Sequence, residues 1–197
     1  MKIGVLAVQG DFAEHVAVLK TLGVDTQEVR LPQHLEGTDG LILPGGESTT
    51  LSRLMSIYQL REPVSQMARH GKAVWGTCAG MIMMAREITE HDPVPLDLMD
   101  IGVQRNAFGR QVDSFEQDLA IPALDAQPFH AVFIRAPLII RVGPQVQVLA
   151  RLADGRPVAA QQGNRMVTSF HPELTRDPRL HQYFLSLVAQ ELSALAE

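Results

Sequence analysis

One cysteine in 197 residues excludes an internal disulfide and any zinc site that needs a pair of cysteines. Charge is sparse as well, at 20% of residues, and leans acidic: 17 Lys+Arg against 22 Asp+Glu leave a net charge of -5. The basic residues are scattered, so there is no electrostatic footprint for nucleic acid, and polyanions are not expected partners. Long apolar runs are missing. The most extended one, Ala73 to Ala85, carries Thr77 and Cys78 and falls short of the roughly 20 residues of a membrane span, so no membrane association is expected. The N-terminal run from Ile3 to Val8 stops at Gln9-Gly10-Asp11, too soon for a signal peptide, which makes the cytoplasm the expected location. Repeats, low-complexity tracts and linkers are lacking too. What remains is an ordinary globular composition, 46% hydrophobic, in a length that suits a single domain over residues 1–197.

The order of elements points to an α/β protein. Ile3 to Val8 is a continuous Val, Ile and Leu run, as in a strand buried on both faces, and Asp11 with Glu14 has the spacing of a capping box. Phe12, Val16, Leu19 and Leu22 keep helical spacing until Gly23, and Val24 to Val29 then predicts a second strand. Gly40-Leu-Ile-Leu43 predicts another, followed by a glycine-rich turn and a helix starting near Ser48. Ala73 to Gly76 is a short buried strand, and Met81 to Ala85 the start of a buried helix. From about Asp92 to Gly163 the runs shorten between Pro and Gly, which predicts a mainly β half that extends the sheet and makes it mixed. A last helix, with Asp177 as cap, Pro178 at its first position and a stripe of Leu180, Phe184, Leu187, Val188, Leu192 and Leu195, is expected to cover the sheet. The expected architecture is a three-layer α/β/α fold.

Gly76-Thr77-Cys78-Ala79-Gly80 has the G-x-nucleophile-x-G form of a nucleophile elbow, in which a tight strand-to-helix turn exposes the central side chain. A helix N-terminus favours a thiolate, and the N–H of Ala79 is placed for an oxyanion. The plainer reading makes Cys78 a small buried hydrophobe. His171-Pro172-Glu173 adds a base and an acid, because Pro172 favours an extended backbone at His171 and residues two apart then face one side. A cysteine nucleophile needs such a base and a third group to orient it. Two other readings remain for these residues: an ordinary turn before Asp177, and a mixed metal site of Cys78, His171 and Glu173. A zinc deaminase is excluded, since its His-x-Glu requires a Cys-x-x-Cys.

Pro44-Gly45-Gly46-Glu47-Ser48 offers a second turn of backbone N–H groups at a helix start, without the Gly-Lys-Ser/Thr ending of a P-loop. Glu47 could hold an ammonium group or serve as a plain helix N-terminal acid. Arg105 and Arg135 are candidate carboxylate clamps, against the default of a solvated surface arginine.

Six blocks in one order carry a resemblance along nearly the whole chain: Gly4-Val-Leu-Ala-Val-Gln-Gly-Asp11, Leu43-Pro-Gly-Gly-Glu-Ser-Thr-Thr50, Gly76-Thr-Cys-Ala-Gly80, Arg105-Asn-Ala-Phe-Gly-Arg110, Val132-Phe-Ile-Arg-Ala-Pro137 and Ser169-Phe-His-Pro-Glu-Leu174. On these the sequence resembles the triad-type (class I) glutamine amidotransferases, and within them the glutaminase subunits of pyridoxal 5'-phosphate synthases. The elbow and His-Pro-Glu belong to the whole superfamily; the other four blocks point to the vitamin B6 branch. The resemblance implies a flavodoxin-like class I glutaminase fold with a mixed, mainly parallel central sheet. It implies Cys78 as nucleophile, His171 as base and Glu173 as its orienting acid. Gly46, Glu47, Ser48, Arg105, Ile134 and Arg135 would bind L-glutamine, with Gly46 and Ala79 forming the oxyanion hole. Gln9 lies in a stretch the family reorders on docking. No metal or organic cofactor is implied. The implied partner is a (β/α)8-barrel synthase subunit in a large hetero-oligomer, which receives the ammonia. The segment from Glu87 to Asp97 matches none of the blocks, and its role is open. Two rivals stand beside this reading, a stand-alone cysteine hydrolase of γ-glutamyl compounds and a non-catalytic regulatory binder.

Overall fold

The computed structural model describes residues 1–105, 107 and 114–194. Asn106, Phe108, Gly109 and Arg110 of the fourth block, and Leu195 of the last helical stripe, lie outside the described residues. In chain order the elements are β1 (Lys2–Leu6), α1 (Phe12–Thr21), β2 (Asp25–Val29), β3 (Gly40–Leu43), α2 (Ser48–Ile57), α3 (Arg61–Arg69), β4 (Ala73–Thr77), α4 (Ala79–Met84), β5 (Ala85–Ile88) and β6 (Met99–Gln104). There follow β7 (Ser114–Leu119), β8 (Phe129–Ile134), β9 (Leu138–Val142), β10 (Gln147–Arg151), β11 (Pro157–Gln162), β12 (Arg165–Thr168) and α5 (Arg179–Ala194).

The main sheet has seven strands in the order β10-β11-β12-β4-β3-β1-β2. The five from β12 to β2 are parallel, with Ile42 opposite Trp75 and Thr168 opposite Thr77, and β11 and β10 add antiparallel partners at one edge. Alternate residues of the central strands feed two separate cores, because successive side chains leave a strand on opposite faces. Ile3, Val5, Ile42, Ala73 and Trp75 pack with Val16 and Leu19 of α1 and with Leu180, Phe184 and Val188 of α5. Leu6, Leu41, Leu43, Val74 and Val167 pack with Leu51 and Met55 of α2, Val64 and Met67 of α3, and the methionines of α4. The result is the expected three-layer arrangement, with the sheet mixed and mainly parallel.

Three expectations fail in detail. Only β10 and β11 extend the main sheet; β5, β6 and β9 form a sheet of their own, and β7 and β8 a two-stranded ribbon. The ribbon has its own apolar side, where Phe115 stacks on Phe133 and Phe133 meets Phe170, so it has no need of the main sheet's edge. The helix expected from Met81 ends at Met84, and its carbonyls are taken by a crossing segment: Leu96 and Leu98 donate backbone N–H groups to Met83 and Met84. That gives a role to the 87–97 segment, which Arg61 further anchors by donating to the carbonyls of Val94 and Pro95. Finally, Asp11 precedes α1 but its side chain makes no capping hydrogen bond. It turns instead toward His171, with Oδ2 3.5 Å from Nδ1.

The parallel strands all run toward one edge, and the loops after β1, β3, β4 and β12 converge there. This is where open α/β sheets bind ligands, at the carboxyl ends of the strands.

Candidate active site

Cys78 sits between β4 and α4 with φ 47 and ψ -105, a strained conformation for a residue with a side chain. Its N–H donates to the Thr168 carbonyl at 2.8 Å, which carries β4's ladder into the turn. The flanking glycines are dictated by space. A Cβ on Gly76 would lie 2.6 Å from the backbone of Gly80, and one on Gly80 would collide with the Leu43 carbonyl. The thiol therefore points out of the elbow, with Sγ 3.9 Å from the Ile134 carbonyl.

His171 follows β12, its N–H bound to the Val132 carbonyl at 2.8 Å. His171, at φ -106 and ψ 87, is neither helical nor fully extended, and Pro172–Leu174 is a 3-10 turn, so the His-x-Glu pairing comes from that turn rather than from two residues on one strand face. Nδ1 of His171 is 2.7 Å from Oε1 of Glu173. Burial pulls the His171 pKa down, but hydrogen bonds to Cys78 and Glu173 outweigh it and push it up to about 10. Burial raises the Glu173 carboxyl, and the hydrogen bond from His171 opposes that rise. With Nδ1 committed to Glu173, Nε2 is the nitrogen left for the thiol.

A cavity of about 310 Å³ opens over the thiol. It is lined by Cys78, Ala79 and His171, by Gly46, Glu47 and Ser48 from the β3–α2 turn, and by Arg105, Ile134 and Arg135. Of the residues singled out in the sequence, Glu173 stands back from the cavity, behind His171, and Gln9 lies outside its lining as well. Gly45 and Gly46 thread between the base and Gln9. A Cβ on Gly45 would lie 2.5 Å from Cε1 of His171, and one on Gly46, at φ 138, would lie 2.5 Å from Oε1 of Gln9. That oxygen accepts the Glu47 N–H at 3.1 Å, while the Gln9 amide nitrogen is buried without a partner among the described residues.

Glu47 caps α2, accepting from the backbone N–H groups of Thr49 and Thr50 and from the Thr49 hydroxyl. Slight burial raises its pKa, but these bonds outweigh it and hold it at about 2. The carboxylate is thus ionised in the pocket, and Arg105 Nη2 approaches it at 3.4 Å. Arg105 Nη1 also donates to the Asp92 carbonyl at 2.7 Å, so this arginine is held in place by the 87–97 segment. Arg135 occupies the left-handed region at φ 43, which directs it away from the line of β8.

Sequence reasoning missed Asp11, Ile82 and Leu174 as cavity residues. Asp11 has the spacing of a capping box, which hides its second role, and the other two carry no chemical signal. Two histidines behind the triad are equally silent in the sequence. His15 Nε2 lies 3.3 Å from Glu173 Oε2, and His15 Nδ1 lies 3.0 Å from His181 Nε2. Asp11, His171 and Glu173 bring ligand-type atoms within 4.8 Å of one another. The mixed site considered from sequence would need Cys78, which is not in that group. His171 Nδ1 is already bound to Glu173, an arrangement in which a carboxylate can orient an imidazole.

A strained cysteine elbow facing a histidine–carboxylate pair, beside a turn of backbone N–H groups, is the equipment of a cysteine-dependent acyl-transfer enzyme. The chain matches the SNO glutamine amidotransferase family over residues 5–190 and belongs to it. It is 56% identical to a pyridoxal 5'-phosphate synthase subunit PdxT of Herpetosiphon aurantiacus over 95% of this chain and 100% of that one. It is 55% identical, over the same shares, to the protein of that name from Moorella thermoacetica. A crystal structure of a glutamine amidotransferase superposes with a TM-score of 0.90 at 51% identity, covering 95% of this chain and 98% of that one. A second glutamine amidotransferase, from Thermotoga maritima, shares the fold, with a TM-score of 0.62 at 11% identity over 99% and 84% of the two chains. Among the described residues no helix is long and apolar enough to cross a membrane.

Proposed function

We propose that this chain, acting as one glutaminase domain in the cytoplasm, hydrolyses L-glutamine through Cys78, His171 and Glu173. It passes the ammonia to a (β/α)8-barrel synthase subunit, within a large hetero-oligomer, for pyridoxal 5'-phosphate synthesis. The observation that carries this reading is the 2.7 Å bond of His171 to Glu173, with Cys78 and His171 lining one cavity together with an anionic Glu47 and two arginines. The family and the names of the relatives supply the substrate and partner.

The chemistry follows from the arrangement. The Cys78 thiolate attacks the side-chain amide carbon, and backbone N–H groups near Gly46 and Ala79 hold the tetrahedral oxyanion. The His171 imidazolium protonates the departing ammonia. Water, activated by the same imidazole, then cleaves the γ-glutamyl thioester and releases glutamate. Arg105 and Arg135 suit the α-carboxylate of the substrate and Glu47 its ammonium group, with Ser48 and Ile134 completing the wall. No cofactor takes part.

Two tests address the parts of this reading. Arg105→Ala removes a charge-assisted contact worth about 1.5 to 3 kcal/mol and is expected to lower kcat/KM for glutamine roughly 10- to 150-fold. An unchanged kcat/KM places Arg105 outside the site. His171→Asn is expected to cost more in kcat than Glu173→Gln, because the first removes the base and the second only its orientation. Full activity in both variants points to another base.

A further inference from the structure

We propose that His15 is a positioning residue for the reaction, acting on Glu173 through a buried His181–His15–Glu173 relay that fixes the outer oxygen of the triad carboxylate. The proposal rests on the glutaminase reading above and extends the site beyond the three residues that carry it.

Glu173 is almost wholly buried, and its two oxygens have different surroundings. Oε1 is taken by His171 at 2.7 Å. Oε2 makes no hydrogen bond among the described residues, and His15 Nε2 lies beside it at 3.3 Å, close enough for a small rotation of either side chain to join them. A buried carboxylate oxygen without a donor is costly, so this contact matters to the charged state of the acid. His15 comes from α1 and is fully buried, as is His181 from α5. The two rings approach with Nδ1 of His15 3.0 Å from Nε2 of His181. Trp75 packs edge-on against both, at centroid distances of 5.7 and 4.9 Å, which locks their orientations.

The charges choose the tautomers. Burial, then the fields of His181 and His171, hold the His15 pKa well below its usual value, and burial takes His181 down to about 3, so both rings are neutral. A neutral ring has one N–H. His15 Nε2 is hydrogen-bonded to Thr77 Oγ1 at 3.2 Å with Glu173 Oε2 alongside at 3.3 Å, and beside an ionised carboxylate that nitrogen carries the proton. Nδ1 is then an acceptor and takes the proton of His181 Nε2. His181 Nδ1 is then a bare acceptor; it has no partner among the described residues, and this order of protons leaves an unpaired acceptor there rather than an unpaired N–H. The opposite order would aim a lone pair of His15 at the carboxylate. The relay therefore stabilises ionised Glu173, which in turn holds protonated His171 in the cavity that Cys78 lines.

The groups facing Glu173 are His171, His15 and Asp11, and those facing His15 are Glu173, His181, His171 and Thr77. Burial and, more weakly, Asp11 oppose ionisation of Glu173 and the hydrogen bond from His171 favours it; an N–H from His15 adds to the favourable side at the oxygen His171 does not reach. The test uses two substitutions of similar polarity in the full chain. His15→Asn keeps a polar atom toward His181 and removes the N–H toward Glu173; His15→Gln keeps an N–H near the Nε2 position. The first readout needs no substrate: the pH dependence of alkylation of Cys78 by iodoacetamide, unambiguous because it is the only cysteine. His15→Asn is expected to move the alkylation midpoint about 0.5 to 1 pH unit higher, and His15→Gln to leave it near the wild-type value. In a Glu173→Gln background His15→Asn is expected to move it no further. With glutamine, His15→Asn is expected to lower kcat about tenfold at neutral pH with KM within about twofold, and to raise the acidic limb of the profile. Thermal unfolding establishes that each variant is folded. If His15→Asn does not fold, His181→Phe, which removes the proton that sets the tautomer of His15, is read for the same shift. A midpoint unchanged in the folded variant, or shifted equally with and without the Glu173 carboxylate, overturns the relay. Lack of glutamine turnover by the wild-type chain with its synthase counts against the proposed function alone, because alkylation reports the relay independently.

Discussion

Cys78→Ala is expected to abolish glutamate release from L-glutamine, a loss of about 10⁴-fold or more in kcat. The chain has one cysteine, so no neighbouring thiol can substitute. The fold is expected to survive, because the elbow depends on Gly76 and Gly80 meeting each other and the Leu43 carbonyl, not on the sulfur. Alanine at φ 47 bears the same backbone strain that cysteine bears already. Glutamate release by the folded variant, measured with the synthase present, decides the matter: substantial remaining activity would remove Cys78 from the role of nucleophile. With ammonium salts supplied, the synthase is expected to work with the Cys78→Ala chain or with none.

Adding the cognate synthase to the purified chain is expected to raise kcat for glutamine about 100- to 1000-fold, the worth of one oxyanion donor, while KM changes less. The reason lies in the β3–α2 turn. Gly46 sits at φ 138 with no room for a side chain beside Gln9, and the oxygen of the Gln9 amide holds the Glu47 N–H. A glycine pair can rotate its peptide at little cost. A partner that reorders the Gln9 stretch would free this turn to aim an N–H at the oxyanion. Steady-state rates with and without the synthase are the measurement. A chain that already turns over glutamine at full rate alone, with kcat unaltered by the synthase, is instead a stand-alone hydrolase of γ-glutamyl compounds.

Much of the fold is legible in local pattern. Apolar runs such as Gly40–Leu43 and Ala73–Thr77 are buried along their whole length, as strands between two helical layers must be, and continuous hydrophobicity announces that directly. The elbow is legible for a similar reason, since two glycines around a cysteine record a close approach that occurs within five residues. Asp177 and Pro178 mark the start of α5, and the Asp177 carboxylate does accept the Arg179 N–H at 3.0 Å. The β half is less legible. Short alternating strands such as β7 state which face is buried but not which edge they join, so local pattern makes two small sheets look like extensions of one.

The sequence alone determined strands β1 to β4, the elbow, and the pairing of His171 with Glu173, because each is written within a few neighbouring residues. Tertiary structure decided what depends on distant segments meeting. Asp11 could be a helix cap or a neighbour of His171, and only the convergence of the loops after β1 and β12 chose between them. Glu47 could seize an ammonium group or cap α2, and the fold makes it an ionised cap that borders the cavity and reaches Arg105. His15 and His181 are single histidines on amphipathic helices, with nothing local to distinguish them. They meet because α1 and α5 pack on the same face of the sheet, which brings two histidines 166 residues apart in the chain together and sets His15, backed by His181, beside a buried carboxylate.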